Sequence, residues 1–326
     1  MTNLNFRRCL ILCSLTILCL QIGCTTNKYR EPISKFQAAS AVVSADARKS
    51  FTESNRMNRN FQIKKLARQG KFITKSQLNP VQFFDEKDLQ ARLDALDRLN
   101  EYVDLLVSIA NSDAPQNISK SATDLTGALG NLTNTVAGLS GESNNKFKTK
   151  TINAFGVTGV VVSEVLKSFA QYKIKKGLEA AISKGALPID DLIDAIADDL
   201  NVINLRFVTN FESQRDELYN DLYNCELNKV VKDPTFTACK ADATPFSQQK
   251  LDNYRDQISV FEDTLETLNA ANPMSALTKM KKAHVKIVML AKSDSPASFT
   301  DAVAAIEDFA AAAKRLGTAV EKLKNS

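Results

Sequence analysis

Residues 189–222, IDDLIDAIADDLNVINLRFVTNFESQRDELYNDL, decide the fold because most of their apolar side chains recur at alternating steps of three and four. That spacing is typical of one buried stripe along a helix. At 1.5 Å per residue, such a helix is longer than roughly 50 Å. The segment therefore predicts a long helical rod. Its apolar positions are Ile193, Ile196, Leu200, Ile203, Phe207, Phe211, Leu218 and Leu222.

Helical patterns continue on both sides of this rod. A preceding helix is expected over 148–184, ended by Gly185 and Pro188, which are typical helix stop signals. Stripes over 89–106 and 118–139 are joined by a short turn and predict an antiparallel hairpin. Further helices are expected over 32–57, 251–268 with Ser247 as its N-cap, 273–292 and 302–323.

Composition agrees with these helices. The chain has no Trp, 11 Gly and 8 Pro in 326 residues, whereas sheets favour aromatic and β-branched residues bounded by frequent turns. We therefore expect an all-α fold, an elongated bundle of long antiparallel helices with coiled-coil-like packing. The predicted organisation is a tether over 24–31 and a helical bundle over 32–326, with an irregular connector near 59–84 and no internal repeat.

The charge of the chain is nearly balanced. The formal net charge of +5 includes Arg7 and Arg8; without residues 1–23, 40 Lys and Arg stand against 37 Asp and Glu. A nucleic-acid-binding domain usually gathers a larger basic excess on one face, whereas both signs are interspersed here. We therefore exclude nucleic acid as a partner.

The first 23 residues have the layout of a secretory signal. Met1 to Arg8 is short and positive, and Cys9 to Leu20 is an apolar run of 12 residues that ends shortly before Gly23. The run is well short of the roughly 20 apolar residues that a transmembrane helix needs. Export is therefore the favoured interpretation.

The ending Ile22-Gly23-Cys24 resembles the lipobox of bacterial lipoproteins, with Gln21 where that family usually has Leu. The resemblance implies that residues 1–23 are removed and that Cys24 is lipidated, which makes membrane lipid a partner. Thr25 in place of Asp after the cysteine is associated with the outer membrane in that family. An ordinary cleaved signal, with Cys24 unmodified, is the alternative.

Two cysteines, Cys225 and Cys239, remain in the mature chain besides Cys24. An even pair in an exported protein predicts a disulfide, which in the chain-entropy model stabilises by about 3 kcal/mol. A zinc site is excluded because it needs four nitrogen or sulfur ligands and His284 is the single histidine. No other metal, and no cofactor, is predicted.

Two groups of polar residues are candidate sites. Five carboxylates at the start of the long helix offer oxygen ligands to calcium, but they also fit the positive end of a helix dipole and lack EF-hand spacing. They are Asp190, Asp191, Asp194, Asp198 and Asp199. His284 lies on an apolar helix face without a recognisable nucleophile or paired acid, so we expect a partly buried structural histidine rather than a general base.

Two further features bear on membranes. A lysine cluster on the same helix as His284 fits either a solvated face or anionic lipid head groups; its members are Lys279, Lys281, Lys282, Lys286 and Lys292. The apolar run 154–162 contains Gly156 and Gly159, and a buried core helix is favoured over membrane insertion because the run is too short to span a bilayer.

The sequence thus leaves three hypotheses about function. The leading one is a non-enzymatic, membrane-anchored scaffold or adaptor that binds an envelope protein or a second copy of itself. The second is a membrane-active, pore-forming-like protein that uses residues 154–162. The third is an enzyme or small-ligand binder with a site in the bundle, for which His284 is a candidate. A wide polar cavity beside His284 would support this hypothesis, and a dry, filled core there would contradict it.

Overall fold

The computed structural model describes residues 24–68, 71–72, 74, 83–111, 174–231, 245–270, 272–293 and 295–325, with isolated positions at 117, 120, 123–124 and 131. Every regular element in these ranges is an α-helix, which confirms the all-α prediction. The helices are α1 (Cys24–Arg68), α2 (Glu86–Ala110), α3 (Ile174–Val231), α4 (Pro245–Ala270), α5 (Pro273–Ser293) and α6 (Pro296–Asn325).

Helices α1 and α2 run antiparallel along one side of the bundle. Gln37 near the start of α1 donates to Asp104 near the end of α2 over 2.6 Å. Further along α1, the Asn55 side chain accepts the backbone N–H groups of Phe83 and Phe84 and donates to the Phe84 carbonyl, at 2.6–3.0 Å. Asn55 thereby fixes the chain just before α2 begins.

Helix α6 runs parallel to α1, in contrast to the antiparallel pairs around it. The ring of Phe36 packs on that of Phe309 with centroids 5.5 Å apart. Further along both helices, Gly317 lies against Val42. The bundle is therefore mostly but not wholly antiparallel.

Helices α3, α4 and α5 form the other side. His284 and Lys281 of α5 contact Asp190 and Asp194 of α3 in reverse order, which makes the two helices antiparallel. Near its carboxyl end α3 packs antiparallel on α4. Because α3 has 58 residues, it is about 87 Å long if straight and extends the bundle beyond α5.

Three helix starts follow directly from the sequence. Asp85, Asn272 and Ser295 each accept a backbone N–H from the first turn of the helix that follows, at 2.7–3.1 Å. These side chains satisfy amides that have no partner within the helix. Pro273 and Pro296 come next in α5 and α6, at the position where the missing N–H of proline costs nothing.

Helix α1 is longer at both ends than the sequence indicated. It begins at Cys24, so the predicted tether 24–31 is helical and Pro32 lies inside the helix. Tyr29 is buried in the core and holds the added turns. At the other end α1 runs through Arg68 into the expected connector, because Phe61 packs on Phe211 with ring centroids 5.0 Å apart.

Gly185 and Pro188 do not end a helix, and the predicted boundary there is wrong: α3 is continuous from Ile174 to Val231. The stripe of buried or half-buried apolar residues passes straight through this region, with Ile182, Ala186 and Ile189 at steps of four and three. Burial on both sides of Pro188 outweighs the loss of one backbone hydrogen bond.

The predicted stripes form the core of the bundle. Leu96, Leu99, Val103 and Leu106 of α2 are buried, as are the inner positions of α3, α5 and α6. A second, smaller core lies near the carboxyl end of α3, where Leu218 packs on Ile258 and Phe261 of α4. Coiled-coil-like packing stays a prediction.

Helix α4 begins at Pro245, so Ser247 lies within its first turn and is not its cap.

None of the described helices combines enough length with enough apolar character to cross a bilayer.

Candidate functional site

His284 is at the centre of a buried polar chain that joins three helices. Its side chain is completely buried, deeper than the partly buried position expected from the sequence. Nε2 lies 2.8 Å from the hydroxyl of Tyr102 on α2, and Nδ1 lies 2.8 Å from Oδ1 of Asp190 on α3. Phe36 of α1 stacks near the imidazole, so four helices meet at this residue.

The protons in this chain have one consistent arrangement. Burial, together with the negative charge of Asp190, raises the pKa of Tyr102 well above its usual range, so the phenol keeps its proton and donates. The acceptor is then Nε2 of His284, which leaves Nδ1–H to donate to Asp190. In this arrangement both imidazole nitrogens have hydrogen-bond partners.

A second buried pair lies two turns further along α3. The Arg92 side chain is 1% exposed. Its Nε donates to Asp199 over 2.7 Å, and its Nη1 donates to the backbone carbonyl of Asp88 over 2.8 Å. The guanidinium also stacks on the ring of Phe84. Burial raises the pKa of Asp199 to about 6, although the guanidinium of Arg92 opposes this shift. Bringing the carboxylate into the core therefore costs free energy even with its partner present.

The acidic cluster of α3 serves the protein's own basic groups. Asp190 contacts His284, Asp194 contacts Lys281 at 2.5 Å, and Asp199 contacts Arg92. Within the described part of the chain, no group of three or more His, Cys, Asp or Glu side chains is arranged to hold a metal ion. These contacts make three of the five carboxylates cross-links between helices.

The lysine cluster of α5 is partly used in the same way. Lys281 contacts Asp194, and Lys286 contacts Asp301 of α6 at 2.8 Å. Lys282 and Lys292 are exposed. A continuous basic face for lipid head groups is therefore interrupted at two of its five positions.

A groove lies elsewhere in the bundle and has a volume of about 510 Å³. It is bounded by the second half of α1, the middle of α3 and the second half of α4, where the main core and the smaller core meet. Apolar side chains cover most of its interior, including Leu200, Ile203, Phe207, Phe211, Phe261 and Leu268. Basic side chains stand at its edge on α1.

The groove does not include His284 among its described lining residues. Within the part of the chain that the structure describes, the imidazole is fully buried and both of its nitrogens have partners inside the protein. The Tyr102–His284–Asp190 chain acts as a set of cross-links that fixes how α2, α3 and α5 align.

Several predicted sites fall outside the described residues. These are the signal 1–23, the hairpin helix 118–139 apart from isolated positions, the apolar run 154–162, and Cys239. Cys24 and Cys225 lie in α1 and α3, respectively. The predicted disulfide and the membrane-active segment stay predictions.

Sequence reasoning missed Arg92, Tyr102 and the groove. Arg92 had a detectable signal, because it lies four residues before Leu96 and seven before Leu99, on the buried face of α2. The groove had none, since its lining residues come from separate helices. No family model, curated protein or solved structure matches the chain.

Proposed function

We propose that this chain is an exported bacterial lipoprotein, anchored through lipid on Cys24, whose helical bundle acts as a non-enzymatic scaffold or adaptor at the cell envelope. The signal-like layout of residues 1–23 and the lipobox resemblance at Ile22-Gly23-Cys24 support the anchor. Two or three acyl chains bury enough methylene to hold a protein on a membrane stably, at about 0.8 kcal/mol per CH₂.

The observation that carries the proposal is that Cys24 lies in α1, on the same helix as a residue of the core. Tyr29, only five residues later, is already buried against the bundle. At 1.5 Å per residue, the lipid attachment point is about 8 Å along the helix from the packed core. Such a short rigid link suits a protein that must hold its partner at a fixed height above the bilayer.

The outer surface of α3 supports the adaptor role. Val202, Leu205, Tyr219 and Tyr223 are large apolar or aromatic side chains that are 46–64% exposed. At 100° per residue they fall within a sector of about 100°, so they share one face of the helix. Exposed Tyr and apolar side chains on one face are typical of protein interfaces. The proposed partner is an envelope protein or a second copy of the chain.

The anchor is tested by metabolic labelling with an alkyne analogue of palmitate in the bacterial host. The wild-type chain should take up label, while Cys24→Ala should take up none and accumulate as the longer precursor. Cys225→Ala is the matched control and should label as the wild type does. Normal labelling and processing of Cys24→Ala would overturn the lipoprotein assignment.

The scaffold role is tested by crosslinking the lipidated protein in its own envelope and identifying captured proteins by mass spectrometry. A Tyr219→Lys, Tyr223→Lys variant should lose the partner or the self-contact, because two charges then occupy the proposed interface. Lys282→Glu, on the exposed face of α5, is the control and should retain it. Equal capture by both variants contradicts an interface on α3.

The outer membrane and the Cys225–Cys239 disulfide belong to the same proposal. Both are carried by the sequence, the first through Thr25 and the second through an even pair of cysteines in an oxidising compartment.

A further inference from the structure

The groove between the two cores has the size and lining of a ligand site. A volume of about 510 Å³ lies within the range of roughly 300–1,000 Å³ that small-molecule sites occupy. Its inner surface brings four phenylalanines together, Phe61 from α1, Phe207 and Phe211 from α3 and Phe261 from α4. Rings of this kind form a wall for an apolar chain but offer no hydrogen-bond partners. The interior therefore suits hydrocarbon.

The edge of the groove on α1 carries an excess of positive charge. Lys49, Arg56 and Lys64 line it, and Glu53 is the single acidic side chain among its described lining residues. Glu53 pairs with Arg56, so the ammonium groups of the two lysines provide the net charge. Lys64 lies over the ring of Phe261, with Nζ 5.9 Å from the centroid, and so stands where the apolar interior meets solvent.

We propose that this groove binds a single-chain anionic amphiphile, a fatty acid or a lysophospholipid. The acyl chain lies along the phenylalanine wall, and the carboxylate or phosphate pairs with Lys64. Lys49, about 22 Å away along α1, adds to the positive charge of the same edge. Charge complementarity selects this occupant over a neutral hydrocarbon, because the basic groups gather on one edge while the interior is apolar. The inference does not depend on lipidation of Cys24.

The groove lies far along α1 from Cys24. Lys49 and Lys64 lie 25 and 40 residues after Cys24 on the same helix, which places them roughly 40 and 60 Å from its first residue. A ligand bound there is well away from any bilayer that the start of α1 approaches. If the bundle stands upright on a bilayer at the proposed anchor, the bound amphiphile has left its membrane, as in a carrier or a sensor; this step alone rests on the proposed function.

The test uses residues 25–326, which retain every described core contact, and the fluorescent fatty acid parinaric acid as the probe. Palmitate should displace the probe saturably. Lys64→Glu should weaken palmitate binding about threefold to tenfold, since it reverses the charge next to the head group, while leaving hexadecanol, its neutral counterpart, unchanged. Lys65→Glu, an exposed neighbour outside the groove, should bind as the wild type does. Circular dichroism establishes that each variant is folded.

A second variant blocks the groove itself. Val260 is half exposed at the groove, and Val260→Trp should weaken palmitate and hexadecanol alike by filling the space for the chain. Displacement by palmitate alone identifies a free fatty acid as the ligand, and displacement by lysophosphatidylglycerol alone identifies a lysolipid. Displacement by neither, or equal effects of Lys64→Glu and Lys65→Glu, would overturn the proposal.

Discussion

At the scale of single residues, the bundle is held in register by polar pairs whose energetic weight depends on burial. Arg92 and Asp199 are 1% and 13% exposed, whereas Arg48 and Asp97, a pair between α1 and α2, are 41% and 42% exposed. Charges in water are well solvated and gain little from pairing, but a buried guanidinium that loses its carboxylate has no solvent to replace it. The two pairs should therefore respond differently to the same substitution.

Asp199→Ala should lower the free energy of unfolding by about 3–5 kcal/mol, because it leaves the Arg92 charge buried without its acceptor. Asp97→Ala should cost less than about 1 kcal/mol. Urea denaturation of both variants measures the difference. Replacing both members of the buried pair, as Arg92→Met with Asp199→Leu, should recover much of the loss. A cost for Asp199→Ala no larger than that for Asp97→Ala would contradict the role of this pair.

The raised pKa of Asp199 predicts a pH dependence of stability. Its pKa is about 6 in the folded chain and about 3.9 in an unfolded one. Between pH 4 and pH 6 the folded state therefore binds more protons at Asp199 than the unfolded state does. The contribution of Asp199 to the free energy of unfolding is greatest below about pH 4 and is lost as the pH rises through 6. Melting temperatures from pH 4 to 7 should show this fall in the wild type. Asp199→Asn should flatten it, and identical slopes for the two proteins would disprove the assignment.

At the scale of elements, sequence periodicity predicted most helices and failed where two signals competed. The stripes of α2, α5 and α6 agree with the buried residues because nothing interrupts them. In α3, Gly185 and Pro188 suggested an end, while the apolar stripe through Ile182 and Ile189 argued for continuation. Packing decided in favour of the stripe, and packing depends on neighbouring helices that a local pattern does not contain.

Pro188→Ala tests this continuity. Inside α3, proline lacks the N–H that would bond to the carbonyl of residue 184, so alanine should stabilise the protein by about 1–3 kcal/mol. Pro296→Ala is the control, because Pro296 begins α6 at a position that favours proline. Chemical denaturation of both variants decides the question. If Pro188→Ala stabilises no more than Pro296→Ala, a helix begins at Pro188 and α3 is not continuous.

The candidate sites also differ in how far the sequence could predict them. The carboxylates of α3 and His284 could be found from the sequence, but their roles could not, because Tyr102, Asp190 and His284 are brought together from three helices. The groove belongs to the same category, since its basic edge comes from α1 and its apolar wall from α3 and α4. Residue types are local, whereas a site made of several helices appears only when their alignment is known.

At the scale of the whole molecule, the proposed anchor and the direction of α1 together predict an orientation. Arg30 and Lys64 are exposed and lie six and 40 residues after Cys24 on one helix. If the bundle stands on the bilayer, the two positions are roughly 9 and 60 Å from the attachment point. A fluorophore on Arg30→Cys should then transfer energy strongly to acceptor-labelled lipid head groups, while one on Lys64→Cys should transfer little.

The measurement uses the lipidated chain in liposomes, with Cys225 and Cys239 replaced by Ser so that each variant carries one reactive thiol. Strong transfer from both positions would mean that the bundle lies flat, which would bring the groove edge at Lys64 to the membrane surface and remove the need for a ligand to leave it. Weak transfer from Lys64→Cys alone keeps the groove at a distance from the bilayer. The same pair of distances therefore decides both how the bundle is presented and from where an amphiphile could enter it.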